Sequence, residues 1–216
     1  MNKISVLLVD DHAVVRAGFK MLLASSENIE VVAETDRGEA ACQQYLEKKP
    51  DVVVLDLSMP GIGGLECCRR ICTRNPEAKI LVFSVHDESV YISRALEAGA
   101  LGYITKNSAA EILIDAIQCI ADGNNYIESG LSVQSPSIKT NQPNEIDYKK
   151  LLNSLTPKEF DIFRLLAKGL TTHKIAEELC LGYKTVANYG TQIKTKFNVS
   201  TVAELAHIAT ALGIIK

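Results

Sequence analysis

The chain has 216 residues, 47% hydrophobic and 23% charged, with a formal net charge of −3. That balance belongs to a folded globular protein and excludes a disordered chain, and no apolar run approaches the roughly 20 residues of a membrane-spanning helix, so no membrane partner is expected. The charge is uneven: residues 1–150 hold 15 Lys/Arg against 21 Asp/Glu, a net of −6, and residues 151–216 hold 8 against 5, a net of +3, which suggests two jobs and a polyanionic partner for the second.

From the N-terminus, Ile4–Val9 is a short apolar run that turns acidic at Asp10-Asp11. A secretory signal needs a longer apolar stretch and a small-residue cleavage site, so this segment is read as a buried strand of a cytoplasmic protein. Further strands are predicted at Val31–Glu34, Val52–Leu55, Ile80–Phe83 and Gly102–Ile104, near-continuous aliphatic runs suited to a parallel sheet covered on both faces. Helical periodicity separates them near 13–24, 38–48, 64–75, 88–98 and 109–122, and the first of these helices places Val14, Val15, Phe19, Leu22 and Leu23 on one broad stripe. Five βα units within residues 1–123 predict an α/β domain with a doubly wound five-stranded parallel sheet.

Residues 124–147 break that rhythm with Ser135-Pro136-Ser137 and Asn141-Gln142-Pro143-Asn144, the composition of a linker. Residues 148–216 carry only helical patterns, near 148–153 running into 157–168, then 172–179, 183–197 and 201–212, so a four-helix all-α domain is expected. Six cysteines are spread along the chain: Cys67, Cys68 and Cys72 share a predicted helix, while Cys42, Cys119 and Cys180 are scattered. No CxxC pair occurs and no histidine stands at zinc-ligand spacing from them, which makes free buried thiols in a reducing compartment the expectation.

Ligands of open α/β sheets bind at the carboxyl ends of the strands. Asp10 and Asp11 end the first predicted strand, Asp56 the third and Ser84 the fourth, and Lys106 follows the fifth. Clustered carboxylates need a cation to offset their repulsion, and oxygen-only ligation suits Mg²⁺. A metal-held carboxylate beside a lysine is a nucleophile for an activated phosphoryl group. An aspartate at a strand end is often only a turn former or a helix cap, but five such positions at successive strand ends are hard to obtain by accident.

Val9-Asp10-Asp11-His12, Leu55-Asp56-Leu57-Ser58-Met59-Pro60-Gly61, Phe83-Ser84 and Gly102-Tyr103-Ile104-Thr105-Lys106 resemble the receiver domain of bacterial response regulators over about residues 3–122. The resemblance implies that Asp56 is phosphorylated by a cognate sensor histidine kinase. It also implies that Asp10, Asp11, Asp56 and the Ser58 backbone carbonyl hold Mg²⁺, and that Lys106 and Ser84 bind the phosphoryl oxygens. Tyr103 would change rotamer to follow Ser84; the other reading of Tyr103 is a half-buried aromatic on an edge strand. Such a switch shifts a population between two packings of the surface around the fourth and fifth helices.

In the tail, Thr156-Pro157-Lys158-Glu159 combines a capping box with proline at the first helical position, and Gly169 ends the helix that it opens. A short helix over 172–179, a turn through Cys180-Leu181-Gly182 and a longer helix from Tyr183 have the shape of a helix-turn-helix. A second capping box, Thr201 with Glu204, opens the last helix. On the longer helix Lys184, Thr185, Asn188, Thr191, Gln192, Lys194 and Lys196 alternate with Val186, Ile193 and Phe197, which can face a core. Asn and Gln can read adenine edges and Lys can reach guanine or phosphate, which makes Lys184, Thr185, Asn188, Gln192, Lys194 and Lys196 candidate DNA contacts; a polar helix face is otherwise simply solvated.

Leu155-Thr156-Pro157-Lys158-Glu159, Leu166-Ala167-Lys168-Gly169-Leu170-Thr171, Lys174-Ile175-Ala176-Glu177-Glu178-Leu179 and Lys184-Thr185-Val186 resemble the LuxR-type DNA-binding domain over about residues 150–213. Together the halves are similar to the NarL/FixJ class of response regulators. That implies a homodimer on promoter DNA, contacts through Val202, Leu205, Ile208 and Ala209 of the last helix (the other reading is that these residues simply close the small domain's core), and RNA polymerase as a further partner. Thr185-Val186-Ala187-Asn188-Tyr189 and Leu179-Cys180-Leu181 are nearer the GacA/UvrY type, which implies a hybrid sensor kinase and promoters of small regulatory RNAs. The sequence departs from the wider class at Ala187, where lysine is common, and at Gly190, where a glycine inside a helix costs about 1 kcal/mol relative to alanine. Two other classes stay open. One is a Mg²⁺-dependent phosphotransfer protein or phosphohydrolase, although Asp56-Leu57-Ser58 lacks a second acid two residues on; the other is a signalling adaptor whose tail binds protein.

Overall fold

In the computed structural model, which describes residues 3–108, 110–131 and 147–215, the chain forms two units, Met1–Ser132 and Val133–Lys216. Most of the expected linker, residues 132–146, lies outside the described residues.

In the first unit β1 (Ile4–Val9), β2 (Ile29–Thr35), β3 (Val52–Leu55), β4 (Ile80–Ser84) and β5 (Gly102–Thr105) pair in parallel. The strands are joined by α1 (Ala13–Ala24), α2 (Gly38–Lys48), α3 (Gly63–Arg74) and α4 (Ser89–Glu97), and α5 (Ala110–Ala121) follows β5. All four residues of β3 are buried, as its unbroken Val-Val-Val-Leu run requires of a central strand. Alternation splits the side chains between two layers. Val6, Leu8, Val52, Val54, Leu81, Phe83 and Ile104 meet Leu23 of α1 and Leu113, Ala116, Ile117 and Ile120 of α5 in one core. There Phe19 packs edge-on to Phe83, with centroids 4.5 Å apart. Val14, expected on that stripe, is 86% exposed. Phe19, Leu22 and Leu23 form the inward line, whereas Val14 lies on the outward line of Gly18 and Met21 at four- and three-residue steps.

The sheet has one strand more than the five expected. β6 (Tyr126–Ile127) adds in parallel beside β5, giving the order β2-β1-β3-β4-β5-β6. Gly123, at φ +86°, turns the chain back after α5. The Tyr126 N–H then donates to the Leu101 carbonyl at 3.1 Å, and the Glu128 N–H to Tyr103 at 3.1 Å. Consequently β5 is not the edge strand, and Tyr103 is wholly buried, against the alternative reading of it as a half-buried edge-strand aromatic. Two residues are too short a run to leave a periodic signal.

The second unit contains α6 (Tyr148–Asn153), α7 (Pro157–Ala167), α8 (Thr172–Glu178), α9 (Tyr183–Lys196) and α10 (Val202–Ala211), five helices where four were expected. The first pattern divides because a proline disfavours helical geometry in the residue before it. Thr156 is extended (φ −61°, ψ 160°) and caps α7 through the expected box with Glu159, and the Thr201–Glu204 box opens α10 in the same way. Phe160, Phe163, Ile175, Val186, Ile193, Phe197 and Leu205 fill the core, with Phe163 and Phe197 stacked at 5.0 Å. Among the described residues no helix is long and apolar enough to cross a membrane.

Candidate functional site

Connections leave β1 and β3 towards opposite faces of the sheet, which opens a crevice at their carboxyl ends. The Asp56 N–H donates to the Val9 carbonyl at 2.9 Å and the Lys106 N–H to the Ser84 carbonyl at 2.8 Å, so backbone bonds between strands set the positions of these ends. Asp10, Asp11, Asp56, Ser84 and Lys106 all gather there, with Asp10 and Asp56 2% exposed and Ser84 fully buried. Lys106 Nζ bridges the acids, 2.5 Å from Asp10 Oδ2 and 2.7 Å from Asp56 Oδ2. Residues 96 positions apart in sequence (10 to 106) thus form one ion-pair cluster.

Burial pushes the Asp56 carboxyl above its ordinary range, and Asp10 adds to that push; Lys106 and the Ser58 N–H, which donates to Asp56 Oδ1 at 3.1 Å, oppose it. Burial works against the charge on Lys106, but Asp56 and Asp10 outweigh it and hold its pKa above the usual lysine value. One ligand atom from each of Asp10, Asp11, His12 and Asp56 lies within 4.8 Å of the others. Asp10 Oδ2 and Asp11 Oδ1 are buried, with the Lys106 ammonium 2.5 Å from the first and His12 Nδ1 2.8 Å from the second. Clustered carboxylate oxygens are the ligands a hard divalent cation takes, and the set of three aspartates fits such an ion.

The loop after Asp56 is held by residues that sequence reasoning passed over. A Cβ on Gly64 would stand 2.1 Å from the Asp56 carbonyl oxygen, so the start of α3 can approach β3 only without a side chain. Glu39 of α2 accepts the Ile62 N–H at 3.0 Å. Ser58 Oγ lies 3.0 Å from His86 Nε2, and the His86 ring stacks on Tyr91 at 4.0 Å. The Tyr103 hydroxyl donates to the His86 carbonyl at 2.8 Å; burial raises the pKa of that phenol, with Ser84 acting in the opposite direction. The Gly61-Ile62-Gly63-Gly64 run was a visible sign of close packing, but nothing in the sequence marked His86 or Glu39.

In the second unit, Gly182 precedes α9 and Cys180 adopts a left-handed φ of 50° to make the turn between α8 and α9. At 100° per residue, Lys184, Thr185, Asn188, Thr191, Gln192 and Thr195 share the face opposite buried Val186, Ile193 and Phe197, and all six are exposed. Lys194 falls on the flank and is half-buried. Lys196, the sixth expected DNA contact, has a second partner that the sequence did not show: its Nζ pairs at 2.6 Å with Oε1 of buried Glu159, the capping-box residue of α7. That cation fastens α9 to α7. Gly190 faces Leu166, yet an added Cβ would come only to 3.5 Å, an ordinary contact.

Residues 6–118 match the family described as response regulator receiver domain, and residues 153–209 the family described as bacterial regulatory proteins, luxR family. The transcriptional activator protein ExaE of Pseudomonas putida is 39% identical over 211 residues, 98% of each chain. The response regulator GacA of Pseudomonas aeruginosa is 37% identical, again over 98% of each. Among solved structures, the RcsB response regulator of Salmonella typhimurium, described in terms of conformational dynamism for DNA interaction, is 25% identical. It aligns over 98% of this chain and 99% of its own with a TM-score of 0.67.

Proposed function

The chain belongs to the response regulators that join a receiver domain to a LuxR-type helix-turn-helix, and on that premise we propose that Asp56 accepts a phosphoryl group from a sensor histidine kinase and so controls promoter binding through α9. The architecture is that of phosphorylation-regulated, DNA-binding transcriptional regulators. The observation that carries the finer reading is the buried Asp10–Lys106–Asp56 bridge at the sheet crevice.

Asp56 is the nucleophile: one of its carboxylate oxygens bonds to phosphorus as the bond to the donor breaks. Mg²⁺ held by Asp10, Asp11, Asp56 and the Ser58 backbone carbonyl would supply neutralisation of the charge on the transferring group. Lys106, already beside both acids, then pairs with a phosphoryl oxygen. Ser84, buried at the end of β4, donates its hydroxyl to another. Because the Tyr103 hydroxyl is tied to the His86 carbonyl two residues beyond Ser84, movement of that loop has to carry Tyr103 along or break the bond. The pocket is read as a phosphoacceptor rather than a turnover site, in a cytoplasmic protein.

On the output side, Lys184, Thr185, Asn188 and Gln192 would meet base edges and phosphates, with Lys194 reaching the backbone from the flank. Helix-turn-helix proteins bind paired half-sites, so activation goes with a homodimer, for which α10 offers Val202, 39% exposed. RNA polymerase is the expected downstream partner. Thr185–Tyr189 supports a GacA/UvrY-type regulator with a hybrid kinase and small-RNA promoters; ExaE, at 39% identity against 37% for GacA, is the competing assignment.

The test is capture of genomic fragments at fixed salt with Mg²⁺ and acetyl phosphate, comparing wild type with Asp56→Asn. Fragments enriched only by the phosphorylated wild type are expected. Equal enrichment by both proteins would remove Asp56 from control of binding.

A further inference from the structure

We propose that Cys42 and Cys67 form a redox-active dithiol that a hydroperoxide converts to a reversible disulfide, tying α2 to α3. All six cysteines are free thiols, and these two bring their Sγ atoms to 3.9 Å across the contact between two different helices, α2 and α3. Closing that gap to the ~2.05 Å of a disulfide is an approach of roughly 2 Å. Cys42 is half-exposed and open to a small oxidant, whereas Cys67 is fully buried behind it, its thiol donating to the Gly38 carbonyl at 3.4 Å. The pair therefore has an accessible sulfur and a protected one.

Electrostatics support the assignment. The Cys42 thiol is pulled down to about 7, first by the hydrogen bond it shares with Cys67 and also by Arg70 and Arg74, against burial and Glu39; Cys67 is pushed up by the same hydrogen bond and by burial. Cys42 is thus the attacking thiolate and Cys67 the resolving thiol. In the first step the Cys42 thiolate bonds to the outer peroxide oxygen, the O–O bond breaks, and the alkoxide leaves and takes a proton as an alcohol. In the second the Cys67 sulfur gives up its proton and bonds to the Cys42 sulfur, the S–O bond breaks, and water leaves. The two thiols lose two electrons, and the peroxide becomes one alcohol and one water.

The other thiols fit this chemistry less well. Cys68 and Cys72 are neighbours on α3, but i,i+4 Cβ atoms of a helix stand about 5–6 Å apart, beyond the ~3.5–4.5 Å that a disulfide spans. Nor do the thiols make a metal cage: among the described residues the only group of three or more ligand side chains within 4.8 Å is the acidic pocket.

Reduced full-length protein at pH 7, with chelator, would be treated with one equivalent of hydrogen peroxide and mapped by non-reducing peptide mass spectrometry. A Cys42–Cys67 linked peptide, loss of two of the six thiols and their recovery with dithiothreitol are expected. Cys42→Ser should slow thiol loss about tenfold, and Cys67→Ala should leave a sulfenic acid on Cys42 that dimedone traps. Linkage through other cysteines in the wild type, or persistence of all six thiols while a small thiol is oxidised, would overturn the proposal. The wild-type map does not depend on either variant folding.

Discussion

The acidic pocket and the exposed face of α9 are built on opposite plans. The pocket draws Asp10, Asp56, Ser84 and Lys106 from four separate strand ends, buries nearly all of them and lets each compensate another. The α9 face draws Lys184, Thr185, Asn188 and Gln192 from a single helix, leaves them exposed and gives none a partner on which the others depend. A buried network fails as a unit when one member is lost, because the remaining charge stays without its counter-ion. An exposed stripe loses contacts one at a time.

The largest expected effect tests the first half of that contrast. Asp56→Asn should abolish labelling by acetyl phosphate, and full stoichiometry in the variant would move the phosphoacceptor elsewhere. Next, Gly64→Ala forces a Cβ to within 2.1 Å of the Asp56 carbonyl unless α3 shifts. It should cost about 1–3 kcal/mol in stability and slow labelling at least tenfold; an unaltered labelling rate would mean that the loop yields freely. On α9, Asn188→Ala should cost about 1–3 kcal/mol of specific DNA binding, and Lys184→Ala should weaken binding to all sequences and lower the salt slope by about one. Lys196→Ala should instead lower stability and leave the salt slope unchanged, since its partner is Glu159.

Glu159 sharpens the comparison further, because it is the pocket's kind of residue placed in the second unit. Burial raises its pKa, but hydrogen bonds from Lys196 and from the Thr156 N–H and hydroxyl outweigh that and hold it below 4.5. A depressed carboxyl stabilises the fold above its unfolded pKa, and that stabilisation is lost as pH falls through the folded value. Glu159→Gln should therefore cost about 1 kcal/mol at neutral pH, a low figure because Lys196 is 40% exposed. The difference from wild type in thermal unfolding should shrink below pH 4.5; a gap that persists there would assign it to packing. The smallest effect is a gain: Gly190→Ala should stabilise α9 by about 0.5–1 kcal/mol, since its Cβ would meet only ordinary contacts.

The same contrast explains what the sequence made legible. Strands buried on both faces announce themselves as unbroken aliphatic runs, and Asp10, Asp56, Ser84 and Lys106 were visible because strand ends converge in a parallel sheet. Capping boxes are local, so Thr156–Glu159 and Thr201–Glu204 could be read three residues at a time. Features settled by distant partners could not. β6 depends on the edge of β5, so the alternative reading of Tyr103 set it on an edge, and the Glu159 partner of Lys196, 37 residues away, left no sign beside it. His86 gave no signal either, since a histidine beside a strand end resembles any loop residue until its neighbours are known.

The ion pair of Lys196 with Glu159 also bears on how much text α9 would read on the proposed function. With that cation engaged, the proposed base-reading residues run from Lys184 to Gln192, eight steps of ~1.5 Å or about 12 Å along the helix axis. That spans roughly four base pairs at ~3.4 Å each, an alphabet of about 256 words against on the order of 10⁶ competing genomic positions. One copy of so short a reader meets its word thousands of times; two copies at a fixed spacing square the vocabulary to about 65,000. On the proposed function, selectivity is therefore a property of the pair, and a device that controls pairing would control which words are legible at all.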